Sequence, residues 1–543
     1  MNSSFSKRFI SLFNTKTASV ICILTALVYR ILNVIYVSYI GRDKIILMQQ
    51  SKNLLHGKGL SIERYYTSNL EVPVYDFTPF WPPGYPIVLA PFLRIFNYDL
   101  YWATITLDMV SVAAFIFVVR KILFEIDFPL PAVNLITLVT GCFEYAFIYE
   151  SAPTDVLAFD LFLTGLFFIL RSVKHNETKY LNLVIASIFL FLPCTFRYSY
   201  PPLSIAAPIG LVFIGWYLKD NAFIKKGLVS LAVISLLIIA FLISLKTKTG
   251  SAGYIVDTGR GFFPENFIHW TPFIVESFIN KTFATSQLIN RTGLSVSQGL
   301  LVLKTLNAIF FIGLLVVLIY LFSKRRVFKT NIPFETFSVI GFFISAATCI
   351  SLSYLSLTFR PQWGWGNYQE EPRYFMFINL YLQIVFIGWI FLYSSWKKSL
   401  FKKIIITVFS LLLFIEVTHN IYFQTKATTR PHKYASPYEE PDYIYFINLI
   451  KSAARENPGT EIYVVADHDE LFLLLANYLG YKGIYDGYNI VKAMPSVKRK
   501  TLLILALYDD QIAGYKSFIT AQNAKFLTNI NQVNFFRIDL LPD

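Results

Sequence analysis

Residues 228–245, LVSLAVISLLIIAFLISL, contain no charged side chain and are almost entirely aliphatic. A bilayer core about 30 Å thick is crossed by roughly 20 apolar residues in a helix, so this run has the length of a membrane span. Within lipid, a helix satisfies its backbone hydrogen bonds inside one segment. Lys225 and Lys226 precede the run and Lys246 follows it, so charge lies at both of its ends. The stretch therefore predicts a transmembrane helix.

Similar apolar runs recur along most of the chain. Hydrophobic residues make up 55% and charged residues 15% of the 543 positions, whereas roughly 25% of a soluble domain is charged. We predict a polytopic α-helical membrane protein with about 11 transmembrane helices. The predicted spans are 18–40, 101–119, 131–149, 156–170, 181–199, 203–218, 228–245, 300–322, 336–357, 375–395 and 404–421.

The net charge of +14 includes short basic clusters between the apolar runs, beginning at Lys219, Lys324 and Lys397. An excess of Lys and Arg in short loops is the positive-inside pattern, so this charge indicates a bilayer as partner and no nucleic acid. Lys7 and Arg8 precede the first span, which predicts a cytoplasmic N-terminus. An odd number of spans then puts the C-terminal tail on the periplasmic or extracellular side.

Three segments outside the predicted membrane are too long to be simple connections. Two are the outer loops 41–100 and 246–299, and the third is the tail 422–543. The tail alternates helical and strand-like patterns, so we predict a small soluble α/β domain there. The remaining domain, 1–421, is transmembrane and includes both outer loops. Within the tail, helices are expected at 440–455 and 469–479, and strands at 461–466, 501–507 and 531–540.

The first outer loop opens with the sequence GRD at 41–43, directly after the first span. A carboxylate at this boundary has two chemical uses, as a base toward an acceptor hydroxyl or as a ligand for a divalent cation such as Mg²⁺ or Mn²⁺. The alternative is an interfacial charge that merely ends the span. The loop continues with LLHGKG at 54–59 and WPPGYP at 81–86. Interfacial helices are expected at 43–56 and 84–97.

These motifs resemble the first outer loop of the glycosyltransferase C (GT-C) superfamily, especially the bacterial branch related to protein O-mannosyltransferases and aminoarabinose transferases. In that family an acidic residue follows the first span, so the resemblance implies that Asp43 is the catalytic or acceptor-activating carboxylate. Lys44 stands where a second acid often follows and Leu47 where an aromatic residue is usual, which argues against a two-carboxylate metal site here. Arg42 and Tyr85 belong to the same motifs and are candidates for substrate binding.

The sequence ESAPTD at 150–155, between the third and fourth spans, resembles the short acidic outer loop of the same superfamily. The resemblance implies that Asp155 is a second catalytic carboxylate in the cleft that holds Asp43. Glu150, beside it, is a candidate for substrate binding. Asp155 also precedes an apolar run, so an ordinary helix N-cap is an equally good interpretation.

Two Arg–Tyr pairs lie at predicted outer membrane edges. Arg197 and Tyr198 end the fifth span, and Arg373 and Tyr374 precede the tenth. An Arg–Tyr pair entering a late span also resembles the GT-C superfamily. Arginine suits bidentate binding of a lipid phosphate, although each arginine taken alone is equally explained by snorkelling to the headgroups.

Carboxylates and arginines at one membrane depth suit sugar transfer from a polyprenyl phosphate. Cations stabilise the departing phosphate, and a carboxylate takes the acceptor's proton. We therefore predict an inverting glycosyltransferase of a bacterial inner membrane that acts on a glycan, lipid or protein acceptor. No cofactor is predicted, and a divalent cation remains open. The alternatives are a transporter or flippase of lipid-linked sugars and an O-antigen-type polymerase or ligase.

Overall fold

The computed structural model of the chain forms two compact units. One comprises Met1–Val34, Asp108–Tyr149 and Thr154–Lys426, and the other Ile35–Leu107, Glu150–Pro153 and Ala427–Asp543. The residues that the structure describes are 13–37, 42–77, 82–142, 153–175, 179–250, 332–358, 376–392, 441–466, 470–492 and 499–541, with positions 293, 295, 298 and 305.

The elements follow one another along the chain as helices, with strands in two places. They are α1 Lys16–Val37, α2 Arg42–Leu55, β1 Ile62–Tyr66, β2 Asn69–Asp76, α3 Gly84–Ile95, α4 Leu100–Glu125, α5 Leu130–Cys142, α6 Pro153–Lys174, α7 Lys179–Phe191, a 3₁₀ turn Leu192–Thr195, α8 Tyr200–Leu218, α9 Asn221–Thr249, α10 Ile332–Thr358, α11 Met376–Leu392, α12 Pro441–Glu456, β3 Glu461–Val465, α13 Glu470–Tyr478, β4 Lys482–Ile484, α14 Asn489–Lys492, β5 Thr501–Tyr508, α15 Ile512–Ala521, β6 Lys525–Ile530 and β7 Val533–Leu540.

The first unit is helical, and its helices occur where the apolar runs predict them. Within the described residues, five helices are long and apolar enough to cross a membrane: Tyr101–Glu125, Thr154–Lys174, Tyr200–Leu218, Asn221–Lys248 and Ile332–Ser351. Helices α1, α5, α7 and α11 overlap the other expected spans that the structure describes. The expected span 181–199 differs, because α7 ends at Phe191 and the 3₁₀ turn Leu192–Thr195 follows it. The expected spans 300–322 and 404–421 lie outside the described residues.

Small residues allow the membrane helices to approach one another closely. A Cβ atom on Gly341 of α10 would lie 2.2 Å from the ring of Tyr381 on α11. The Tyr381 hydroxyl donates a 2.7 Å hydrogen bond to the carbonyl oxygen of Ser338. Gly210 of α8 likewise faces the backbone of Ile340, where an added Cβ would come within 2.9 Å. Such contacts replace the hydrophobic effect as the force that joins helices in lipid.

A buried arginine joins α1, α4 and α5 in the first unit. The Arg120 guanidinium donates to Asn134 Oδ1 at 3.1 Å, Thr137 Oγ1 at 2.8 Å and Ser19 Oγ at 2.6 Å. Its partners are neutral oxygens, and together they satisfy donors that lipid would leave without hydrogen bonds.

The second unit contains a seven-stranded sheet with the strand order β2-β1-β4-β3-β5-β7-β6. Strands β1, β4, β3 and β5 pair in parallel, whereas β2, β7 and β6 pair antiparallel with their neighbours. Strand β5, in the interior of the sheet, is buried along nearly its whole length. One face packs on Tyr515 and Phe518 of α15, and an aromatic cluster of Phe446, Phe472 and Phe535 forms elsewhere in this unit.

Several elements of the second unit differ from the expectation. The strands predicted in the tail are present as β3, β5 and β7, but β1, β2, β4 and β6 were not predicted. The first two of these belong to the first outer loop, whose residues fall in the same compact unit as the tail and not with the transmembrane helices. The observed division therefore differs from the expected boundary at 421, because a hairpin from loop one completes the sheet of the tail.

Candidate functional site

An ion pair between Asp155 and Arg197 forms the centre of the candidate site in the first unit. Asp155 lies in the first turn of α6. Arg197 lies between the 3₁₀ turn and α8, where its amide donates to the carbonyl of Pro193 at 3.0 Å. Arg197 Nε is 2.7 Å from Asp155 Oδ1, and the two side chains are only 7% and 6% exposed. Two residues selected separately from the sequence are thus brought together by the fold.

Burial makes the loss of either partner of this ion pair costly for stability. Each charge has lost most of its water, and the attraction between them offsets a desolvation penalty of several kcal/mol per ion. Intramembrane charges that persist in this way usually belong to functional sites. The contact also engages Oδ1 of Asp155, so this carboxylate can hold the Arg197 guanidinium in one orientation.

Asp160 and Tyr200 are two further buried polar residues of α6 and α8. Asp160, on α6, is 4% exposed, and neither of its carboxylate oxygens has a hydrogen-bond partner among the described residues. Tyr200 begins α8 and lies within electrostatic range of Asp155, Arg197 and Asp160. Its ring contacts that of Phe162 with 5.7 Å between centroids. An acid inside an otherwise apolar span is the sequence signal that can identify Asp160, whereas nothing in the sequence distinguishes Tyr200.

The structure describes the side chains of only some of the other predicted site residues. Tyr198 follows Arg197 and is half-buried. Glu150, Arg373 and Tyr374 lie outside the described residues, so their roles stay predictions.

In loop one, α2 begins at Arg42, which places Asp43 in its first turn. The side chains of both residues lie outside the described part of the structure. Asp43 belongs to the second unit and Asp155 to the first. The expectation that both carboxylates line one cleft therefore remains a prediction.

Helix α2 buries an unusual number of polar side chains. Lys44 and Gln49 are 2% and 1% exposed. Lys52 Nζ donates a 2.6 Å hydrogen bond to the carbonyl oxygen of Tyr478. Burial lowers the pKa of Lys52, and the Glu63 carboxylate opposes this change. Tyr85, the substrate-binding candidate from α3, is fully buried.

Potential metal ligands are dispersed in the part of the chain that the structure describes. There, His, Cys, Asp and Glu do not come together in groups of three or more that could hold a metal ion.

Comparison with solved structures identifies the fold. The crystal structure of ArnT from Cupriavidus metallidurans in the apo state matches with a TM-score of 0.51 and 11% identity over 95% of this chain and 97% of that chain. ArnT bound to undecaprenyl phosphate matches with a TM-score of 0.50 and 12% identity over the same shares of each chain. The oligosaccharyltransferase of Archaeoglobus fulgidus in the apo form matches with a TM-score of 0.51 and 14% identity over 91% of this chain and 69% of that chain.

The chain therefore shares the fold of ArnT and of this oligosaccharyltransferase. The resemblance inferred from the loop-one motifs is confirmed at the level of fold. No family model and no curated protein matches the sequence.

Proposed function

We propose that this protein is an integral membrane glycosyltransferase that moves a sugar from a polyprenyl-phosphate donor to a glycan, lipid or protein acceptor on the exoplasmic side. The observation that carries this proposal is the fold match to ArnT along 97% of that chain, together with the crystal structure of ArnT bound to undecaprenyl phosphate. The loop-one motifs support the same assignment independently.

The proposed reaction is a single displacement at the anomeric carbon. The acceptor oxygen forms a bond to that carbon, and the bond between the carbon and the phosphate oxygen breaks. The bonding electron pair leaves with the phosphate, and the acceptor proton passes to the carboxylate of Asp43. Attack on the face opposite the phosphate inverts the anomeric configuration.

The Asp155–Arg197 ion pair suggests a division of labour between the two aspartates. We assign Arg197 to the donor phosphate, where a preorganised cation stabilises the charge that develops as the sugar leaves. Asp155 is then a positioning residue that holds the guanidinium through its 2.7 Å contact with Nε. Asp43, in the first turn of a different helix, is the proposed base. Arg42, Tyr85, Glu150, Tyr198, Arg373 and Tyr374 remain candidates for substrate binding.

The proposed topology puts the N-terminus in the cytoplasm and the second unit in the periplasm or outside the cell. Loop one and the tail then share one compartment, in keeping with their common sheet. Labelling of cysteines introduced into the exposed turn at Ser68, with a reagent that does not cross membranes, tests this orientation in intact cells. Labelling only after cell disruption would reverse it.

The enzymatic proposal is tested by transfer from radiolabelled polyprenyl-phosphate sugars in a host membrane extract. Purified wild type and Asp43→Asn are compared, with Asp76→Asn as the matched control. Asp76 lies in the same loop, where its partly exposed carboxylate pairs with Arg64 at 3.3 Å. We expect Asp43→Asn to lose transfer by a factor of about 100 or more and Asp76→Asn to keep it. EDTA followed by Mg²⁺ or Mn²⁺ measures the metal requirement.

Other outcomes of this test separate the proposal from its alternatives. Equal transfer by Asp43→Asn and wild type would reduce Asp43 to the end of a helix. No transfer by wild type from any donor would refute the proposed enzyme. Movement of a lipid-linked sugar across proteoliposomes by the same preparation would then indicate a transporter or flippase.

A further inference from the structure

We propose that the C-terminal tail positions the catalytic helix of loop one, and that Asn477 and Tyr478 at the end of α13 are the positioning residues. This inference rests on the proposed function, because it takes Asp43 as the base. It assigns a task to the tail that the similarity of fold leaves open.

Asn477 links two strands from opposite ends of the chain. It is 2% exposed, and its Nδ2 donates to the carbonyl oxygen of Glu63 on β1 at 2.7 Å. Its Oδ1 accepts from the amide of Gly483 on β4 at 2.6 Å. Both ends of the buried amide are thereby satisfied, and loss of the side chain would leave a buried backbone carbonyl without its donor. Gly483 makes the contact possible, since an added Cβ would lie 2.6 Å from the carbonyl oxygen of Leu473 on α13.

Tyr478 contacts two further parts of loop one. Its carbonyl oxygen accepts from Lys52 Nζ on α2 at 2.6 Å, and the same ammonium lies 5.2 Å from the centre of the Tyr478 ring. Its hydroxyl donates to the carbonyl oxygen of Tyr98, just beyond α3, at 2.7 Å. Two adjacent residues of the tail therefore hold α2, β1 and the end of α3.

The sheet reinforces this connection. Tyr65 of β1 pairs with Ile484 of β4, and the amide of Tyr485 donates to the carbonyl of Tyr65 at 2.9 Å. At the tip of the hairpin, the amide of Thr67 donates to Asp486 Oδ1 at 2.7 Å. Loop one is thus bound to the tail by side chains and by backbone pairing.

A helix carries this restraint to the proposed base. Asp43 lies in the first turn of α2 and Lys52 in its last turn, a distance of about 14 Å at 1.5 Å per residue. A continuous helix held at one end limits where the other end can lie. Misplacement of a reacting group by about 1 Å can lower a rate by roughly 100-fold, so the grip of the tail on α2 affects the chemical step.

The test compares Asn477→Ala with Asn534→Ala in the full-length protein. Asn534 is a matched control because it is a buried asparagine of the same tail, 6% exposed. Its Oδ1 accepts from Asn529 at 2.9 Å and its Nδ2 donates to Asp509 at 2.6 Å, away from loop one. Hydrogen–deuterium exchange of peptides covering 42–55 reports the order of α2. Transfer kinetics with the donor found above report kcat and KM separately.

We expect Asn477→Ala to speed exchange in α2 and to lower kcat by about 10- to 100-fold with little change in KM for the donor. Asn534→Ala should change neither readout. As a second variant, Lys52→Met should reproduce the effect, and Lys52→Arg should restore it because the guanidinium can still donate to the Tyr478 carbonyl.

Unchanged exchange in α2 for Asn477→Ala and Lys52→Met would overturn the inference, as would faster exchange with an unchanged kcat. If exchange is faster but kcat is unchanged, the Asp43→Asn variant separates the claim that Asp43 is the base from the claim that the tail positions α2. Loss of transfer in Asp43→Asn would leave the proposed function standing and remove only the positioning role. Retention of transfer in Asp43→Asn would remove Asp43 as the base as well.

Discussion

Replacement of one partner of the Asp155–Arg197 pair should destabilise the first unit strongly, and replacement of both should be far less harmful. At the observed 2.7 Å between Nε and Oδ1, an effective dielectric constant of about 20 gives a gross attraction of about 6 kcal/mol. Desolvation of two largely buried charges offsets most of this attraction. The net value of the pair is therefore small, but a single charge left behind is costly.

The expected losses of stability follow from this difference between the intact pair and a single unpaired charge. Asp155→Asn or Arg197→Gln alone leaves one buried charge without its partner, for which we expect a loss of about 3–5 kcal/mol. The double variant places two neutral amides in the site and should lose at least about 2 kcal/mol less than the sum of the single losses. The exposed pair Lys174–Asp127, with 2.5 Å between charged atoms and side chains 29% and 48% exposed, provides the control. Asp127→Asn should cost less than about 1 kcal/mol.

Reversible unfolding in mixed detergent micelles, followed by circular dichroism, measures all four variants against wild type. Transfer activity is not the readout here, because every change at the pair affects the proposed phosphate site. Additive losses in the double variant would show that the two charges do not interact, and would refute the ion pair as the centre of the site. A loss from Asp127→Asn equal to that from Asp155→Asn would show that burial does not set the magnitude.

Two further predictions concern packing and pH. The substitution Gly341→Ala should lower the free energy of unfolding by about 1–3 kcal/mol, because the added Cβ would lie 2.2 Å from the ring of Tyr381. An unchanged melting temperature in detergent would show that the ring moves aside. Burial alone would raise the pKa of Asp486, but hydrogen bonds from Thr67 outweigh burial and hold the pKa below its usual value. The Asp486 carboxylate therefore stabilises the fold above about pH 4, and this stabilisation is lost as the pH falls through the lowered pKa of Asp486. The stability difference between wild type and Asp486→Ala, measured by thermal unfolding, should shrink between pH 7 and pH 2, and a constant difference would contradict this linkage.

The positions of the long apolar helices could be predicted from the sequence because a bilayer would impose a local rule. A segment that crosses the bilayer must satisfy its own backbone and present apolar side chains, and both requirements are fulfilled within one run of residues. Runs such as 203–218 and 228–245 therefore coincide with α8 and α9. The same local logic identified β3, β5 and β7 in the tail, whose strands are rich in aliphatic and aromatic residues.

The candidate site was only partly predictable. Asp155 was selected because its loop resembles the short acidic outer loop of the GT-C superfamily, and Arg197 because an arginine at a membrane edge can bind a lipid phosphate. Their direct pairing, however, depends on how the 3₁₀ turn sets the start of α8 against the start of α6, and no local pattern encodes that packing. Their pairing is the basis on which we propose Asp155 as a positioning residue.

The sequence by itself predicted where the long apolar helices lie and that helices alternate with strands in the tail. Only the tertiary structure decided that the loop-one hairpin belongs to the sheet of that domain. The hairpin meets the tail across a separation of 419 residues between Thr67 and Asp486, and β4 spans only Lys482–Ile484. Strand formation depends on a partner more than on intrinsic preference. A short strand and a mixed polar hairpin therefore show no strand signal until the fold brings them side by side.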